Sequence, residues 1–153
     1  MLIDGSLGGK GTPAYLGRME YPAKVLLAWG EAISGNEEIR DWLMANKYPE
    51  LALTCHALYH VESARSWLLA NGQPHLMALV RGSEGDARAV EWLDKFGYNY
   101  LKDVALGADN DDEAVKRLLQ LDQREWAGIA LKIRAVKNQI EADNNDMHRI
   151  SRT

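Results

Sequence analysis

The chain repeats itself every 25 residues. Trp42, Trp67 and Trp92 are 25 apart, each followed by leucine, and the next step reaches Arg117 and Leu118. A fixed period of this length restricts the chain to a stacked array of one supersecondary unit, in which no unit buries its apolar face alone. Four units span 41–65, 66–90, 91–115 and 116–140, and a degenerate fifth, 16–40, precedes them.

Two patterns recur inside each unit. Ile39/Trp42/Leu43 returns as Ala64/Trp67/Leu68, Ala89/Trp92/Leu93 and Ala114/Arg117/Leu118. Spacing of i, i+3, i+4 places such residues on one helical stripe. Leu51/Thr54/Cys55/Leu58 returns as Leu76/Leu79/Val80/Ser83, Leu101/Val104/Ala105/Ala108 and Trp126/Ile129/Ala130/Ile133, and the first unit supplies Leu26/Trp29/Gly30/Ile33. Offsets of 0, 3, 4 and 7 again describe one helical face. Each unit therefore reads as two short helices. Asn36, Asp86 and Asp111 stand where the first helix of a pair begins and can accept from its free N–H groups, whereas Val61 breaks that pattern. Gly72 and Gly97 fit the left-handed ends of first helices. Pro49 and Pro74 fit the first turn of second helices. No segment alternates with period two, so no sheet is expected.

These patterns predict an all-α solenoid of about five helical hairpins, curved, over residues 16–140. A glycine-rich irregular segment (1–15) precedes it and a polar tail (141–153) follows. Two columns stay small, Ala64/Ala89/Ala114 and Gly30/Cys55/Ala105/Ala130, which allows helix axes to approach closely. The tryptophans of the repeat are expected to supply bulk to a buried seam between hairpins. Gln123–Ile140 has no breaker at the place where earlier units turn, which predicts one long closing helix with Trp126 covering the last interface.

The tract at 75–98 resembles an ankyrin repeat. His75, Leu76, Ala78, Gly82, Ala89, Val90, Leu93 and Gly97 fill places comparable to the short helix, glycine turn and longer helix of that family. The unit is shorter by about the length of ankyrin's projecting hairpin, so the expected fold is ankyrin-like without that extension. The resemblance implies a scaffold that binds macromolecules on one face. The W-L-x-x-N tracts at 42–46 and 67–71 are similar to tracts in uncharacterised bacterial proteins, a resemblance that implies no activity.

Charge and composition narrow the partners. The net charge of −4 argues against nucleic acid as the main partner. One cysteine excludes an internal disulfide and fits a reducing compartment. No apolar run approaches the about 20 residues of a membrane span, and no secretion-signal pattern opens the chain, so a cytoplasmic location is expected. Residues 91–115 hold seven acids and two bases, net −5, and residues 116–140 hold six bases and two acids, net +4. Asp109, Asp111, Asp112 and Glu113 form a local acidic cluster, and Lys132, Arg134 and Lys137 form a basic stripe on the closing helix. Three uses of these charges are open: solvated faces that neutralise each other, a polarised docking surface, or self-association between copies. The cluster lacks the spacing of a calcium loop.

No catalytic set converges, and the chain reads as non-enzymatic with no cofactor. The stretch GSLGGKGT (5–12) has Asp4 and Gly11 where a phosphate loop needs glycine and a serine or threonine. His56 and His60 have the four-residue spacing of two ligands on one helix, the only support for metal or small-ligand binding. Ala57 stands where the H-E-x-x-H pattern needs glutamate, and no third ligand is evident. Cys55 shares its column with Val80, Ala105 and Ala130 and reads as a small core thiol. His75 and His148 stand apart from any serine–acid set.

The remaining lead is aromatic. Tyr48, Gln73, Tyr98 and Gln123 occupy the turn between the two helices of successive units, and Glu50, His75, Tyr100 and Glu125 lie two residues later. Tyrosines among variable polar residues suit a protein interface. The sequence thus points to a protein–protein interaction module whose unknown partner contacts Tyr48, His75, Tyr98 and Tyr100, with padding of the groove between units as the alternative role of those side chains.

Overall fold

A computed structural model describes residues 20–151 of the chain, with side chains through Met147. The expectations for the glycine-rich segment 1–15 and its GSLGGKGT stretch lie outside the described residues. Nine α-helices and no strand occur among the described residues: α1 (Ala23–Ile33), α2 (Glu37–Ala45), α3 (Pro49–Leu58), α4 (Glu62–Ala70), α5 (Pro74–Ser83), α6 (Ala87–Lys95), α7 (Asn99–Ala108), α8 (Asp112–Gln120) and α9 (Arg124–Ser151). Consecutive pairs form the helical-hairpin array that the period predicts.

The local signals act where the sequence places them. Asn36, Asp86 and Asp111 each cap an even-numbered helix by accepting a backbone N–H, and Val61 provides no side-chain cap. Pro49 and Pro74 open α3 and α5. The W-L-x-x-N tracts acquire a physical meaning at the other helix end. Asn46 Nδ2 donates to the Trp42 carbonyl at 2.8 Å, and Asn71 Nδ2 to the Trp67 carbonyl at 2.8 Å, closing the last turns of α2 and α4.

Two sets of positive-φ residues also recur with the 25-residue period, and the three middle units carry one of each. One set is Gly35, His60, Gly85 and Asn110; the other is Lys47, Gly72, Gly97 and Asp122. The turns demand a left-handed residue whether or not the sequence supplies glycine there. A left-handed residue with a Cβ costs about 1–2 kcal/mol, partly offset by glycine's greater freedom in the unfolded chain. Lys47 (φ 74°) is exposed, so Lys47→Gly should raise unfolding stability by about 0.5–1 kcal/mol, read from denaturant midpoints at unchanged m-value.

The odd-numbered helices form the inside of the array. All four columns of their repeat are buried, from Leu26/Leu51/Leu76/Leu101/Trp126 through Ile33/Leu58/Ser83/Ala108/Ile133. α1 packs on α3, α3 on α5, α5 on α7 and α7 on α9, and α9 then packs on α1. The array is closed. Trp29 and Trp126 meet edge-to-face at the closure with ring centroids 6.2 Å apart, and Lys132 Nζ reaches Glu31 at 2.9 Å across the same seam. Gly30 faces the same seam, where a Cβ would stand in ordinary contact with Ile129 Cδ1 at 3.6 Å. The interior of the ring is therefore a core of side chains rather than an open concave groove.

The even-numbered helices lie outside, each bridging the two inner helices that flank it. Their contribution to the core corrects the sequence expectation for the repeating tryptophans. Trp42 is 46% exposed and Trp67 and Trp92 are half-buried, whereas Leu43, Leu68, Leu93 and Leu118 are fully buried at 0%. Adjacent residues on a helix point about 100° apart, so a nine-residue outer helix aims the leucine at the ring and leaves the indole at the margin of the contact. Only Trp29 and Trp126, on inner helices, serve as core tryptophans.

Close approach elsewhere depends on absent side chains. A Cβ on Gly107 would lie 2.9 Å from Val115 Cγ2 and 3.2 Å from the Ala130 Cβ, so α7 meets both α8 and α9 at a residue without a side chain. The closing helix also runs further than expected. The predicted polar tail from residue 141 is helical through Ser151, and residues 141–147 are solvent-exposed.

Candidate functional site

The hairpins alternate direction, so the inner helices all begin at one end of the ring. The turn residues singled out in the sequence gather there. The beginnings of α1, α7 and α9 leave a cavity of about 580 Å³ between them, lined by Tyr21, Tyr98, Tyr100 and Trp126 together with Glu20, Gln123 and Glu125. Leu26 and Leu101 form part of its apolar lining. That volume falls in the roughly 300–1,000 Å³ range of ligand sites.

Of the four predicted contact residues, two are inside the fold. His75 is 1% exposed and Tyr98 is 6% exposed. The His75 and Tyr98 rings stack at 5.1 Å with an interplanar angle of 2°, and Tyr98 stacks in turn on Trp92 at 5.8 Å. This stack joins α5, α6 and the entry to α7, the groove-padding role that the sequence left open, although Tyr98 also contributes to the cavity lining. Tyr48 is half-buried and meets Tyr21 edge-on at 5.9 Å. Tyr100 is 40% exposed and lines the cavity. Beside it, the Tyr21 hydroxyl donates to Glu50 Oε2 at 2.8 Å, placing a third carboxylate at the same end of the ring.

Sequence reasoning did not find Glu20, Tyr21 or Trp126 as site residues. Trp126 has the register of the inner Leu column, and Glu125 directly precedes it in the register of Glu50, His75 and Tyr100. The repeat alone could have marked those two as end-facing. Glu20 and Tyr21 join them only because α1 closes onto α9, which no local signal announces.

The His56/His60 pair has a different arrangement from that expected. α3 ends at Leu58, and His60 lies beyond it in the left-handed turn (φ 65°), so the two histidines do not share a helix. His60 Nδ1 is 3.3 Å from Arg65 Nη2, and His60 Nε2 is 3.7 Å from Glu84. Arg65 completes that cluster by donating to the Ala57 carbonyl and pairing with Glu84 at 2.7 Å, which ties the end of α3 to the next unit. His56 is held below the usual imidazole range, first by partial burial and then by the Arg40 charge, against an opposing pull from Asp41. Among the described residues, no group of three or more His, Cys, Asp or Glu is placed to hold a metal ion.

Cys55 is a core thiol, 1% exposed, with Sγ 3.4 Å from the Leu51 carbonyl. Burial pushes its pKa up to about 12, against smaller lowering effects of Arg40 and of hydrogen bonds. The thiolate is the reactive form. Alkylation of the native protein at pH 8 should therefore be at least about 100-fold slower than in denaturant. Labelling at the denatured rate would mean that this part of the ring is open.

The opposite charges of the last two units meet within one chain. Lys137 pairs with Asp109 at 2.7 Å, Arg134 with Asp112 at 2.9 Å, and Arg117 with Asp103 at 2.8 Å. The basic stripe thus fastens the closing helix to α7, α8 and α1, and these charges already have partners before any second molecule arrives. Among the described residues, no helix is long and apolar enough to cross a membrane. No protein-family model, characterised protein or solved structure matches the chain, so the site stands on its own geometry.

Proposed function

We propose that the protein is a non-enzymatic protein–protein interaction module and that its partner engages the end of the ring where the inner helices begin. One observation carries this reading: variable turn residues from several units converge on a single aromatic cavity, while closure fills the concave interior that an open solenoid would use for binding. An exposed tyrosine beside buried aromatic rings has the character of an interface anchor. The ankyrin resemblance of residues 75–98 agrees with a binding scaffold, as an argument from fold alone. The partner is a protein rather than nucleic acid, consistent with the acidic surface.

The test compares three baits in affinity capture from native lysate: wild type, Tyr100→Ala at the cavity, and Trp42→Ala on an outer helix. The expected result is a partner retained by wild type and Trp42→Ala and lost by Tyr100→Ala. Identical recovery by all three baits, or no specific partner, contradicts the reading.

A further inference from the structure

We propose that the end cavity receives a positively charged side chain, lysine or arginine, presented by a basic segment of the partner protein. This inference rests on the binding reading above and specifies the chemistry that the cavity recognises.

The lining is the first argument. The part-exposed rings of Tyr21 and Tyr100, the buried Tyr98 and Trp126 behind them, and two carboxylates, Glu20 and Glu125, line one space, and no Lys, Arg or His is among its lining residues within the described part of the chain. Aromatic faces attract cations through the ring quadrupole, and a neighbouring carboxylate supplies the counter-charge. Tyr21 strengthens this arrangement because its hydroxyl is bound to Glu50, which fixes the ring at the rim.

The opposing effect is the helix dipole. α1, α7 and α9 direct their N-terminal ends toward the cavity, each equivalent to about +0.5 charge and together about +1.5, which alone would favour an anion. Glu20 and Glu125 contribute −2 and Glu50 nearby −1, against +1 from exposed Lys24 beside the lining residue Ala23, a net −2 that still exceeds the dipoles. An incoming anion would meet those carboxylates with no cation among the described lining residues to pair with. The balance favours a cation.

The described bases beside the lining do not fill the site from within the fold. Lys102 pairs with Asp94 and Arg124 with Asp122, and Lys24 is exposed next to the lining residue Ala23 without being part of the lining itself. The volume of about 580 Å³ exceeds one side chain and leaves room for the residues on either side of it, as suits a peptide segment. The net charge of −4 draws a basic segment toward the molecule.

The experiment titrates the ¹⁵N-labelled full chain with the blocked pentapeptide Gly-Ser-Lys-Ser-Gly and follows the backbone amides of Tyr100, Leu101 and Trp126. Arginine, norleucine and glutamate versions, and free n-butylammonium, are the comparisons. Saturable shifts are expected with the lysine and arginine peptides. Norleucine and glutamate versions should bind at least about tenfold more weakly, equivalent to about 1.4 kcal/mol. Glu20→Gln combined with Glu125→Gln should weaken the lysine peptide by about tenfold while lowering the melting temperature by no more than about 4 °C, because neither side chain is buried and only the first-turn charge of α9 is lost to the fold. Equal binding of the norleucine peptide, or no saturable shift with any peptide, overturns the proposal. Binding of n-butylammonium as tight as that of the peptide also overturns it, in favour of a free small cation. If partner capture still depends on Tyr100 while the peptides show no charge preference, the interaction module survives and the cation inference falls.

Discussion

Trp29→Ala should destabilise the protein by about 3–5 kcal/mol, the largest effect expected of any single substitution considered for this chain. Trp29 is fully buried, its Nε1 donates to the Leu51 carbonyl at 3.0 Å, and its ring meets Trp126 across the closure. Truncation to alanine removes the transfer free energy of the indole, leaves a cavity, and strips a buried carbonyl of one of its donors. Nearest-neighbour stacking in an open array would confine the damage to the first unit. In a closed ring, the same substitution loosens the seat of α9 as well. Equilibrium denaturation should show one cooperative transition at a much lower midpoint, and hydrogen exchange should accelerate in α9 as well as in α1. A loss below about 1 kcal/mol, or exchange confined to α1, would mean that the indole does not bridge the ends.

The second large effect separates two adjacent residues. Leu68→Ala should cost about 2–5 kcal/mol, while Trp67→Ala, although it deletes the larger side chain, should cost less. Leu68 is fully buried and faces the ring, whereas Trp67 is half-buried at the margin. Paired denaturant titrations of the two variants measure the difference. The reverse order would restore the tryptophans as the seam of the array.

That comparison marks how far the sequence could be read. Period, helix boundaries and inner columns were legible because each rests on local chemistry: the Asn36, Asp86 and Asp111 caps, the prolines that open α3 and α5, and the i, i+3, i+4 spacing of inner residues. The Trp–Leu pair was misread because i, i+3, i+4 spacing puts both residues on one stripe and the bulkier one was expected at its centre. Which of two neighbours faces the core depends on how the outer helix is turned against the ring, a tertiary fact. The left-handed positions were visible at Gly72 and Gly97 and hidden at Lys47, His60 and Asp122, where tertiary geometry overrides residue preference. His60 suffered most from this, since its spacing from His56 suggested a shared helix that ends before it.

The site was legible in part. Repeat register brought Tyr98, Tyr100 and Glu125 to attention, since turn positions that vary between units stand out against a conserved period. Burial of His75 and Tyr98 could not be read from register, because their stacking on one another and on Trp92 depends on the spacing between units. Glu20 and Tyr21 were invisible for a topological reason. They lie far along the chain from every other aromatic of the cavity, and only the meeting of α1 with α9 makes them neighbours. The same closure explains the basic stripe, whose pairing with Glu31, Asp112 and Asp109 selects mutual neutralisation from the three uses the sequence left open.

Closure of the ring is the claim on which the site, the charge pairing and the stability predictions all depend. The most direct measurement is the nuclear Overhauser effect between the indole protons of Trp29 and Trp126, assigned in the full chain. Ring centroids 6.2 Å apart bring edge protons close enough for a cross-peak, which Trp29→Phe should abolish. An open arc of the same five hairpins, stepping about 8–10 Å per helix, would separate those indoles by roughly 30 Å or more. Absence of that cross-peak in a folded protein, with the contacts between successive inner helices intact, would contradict the account.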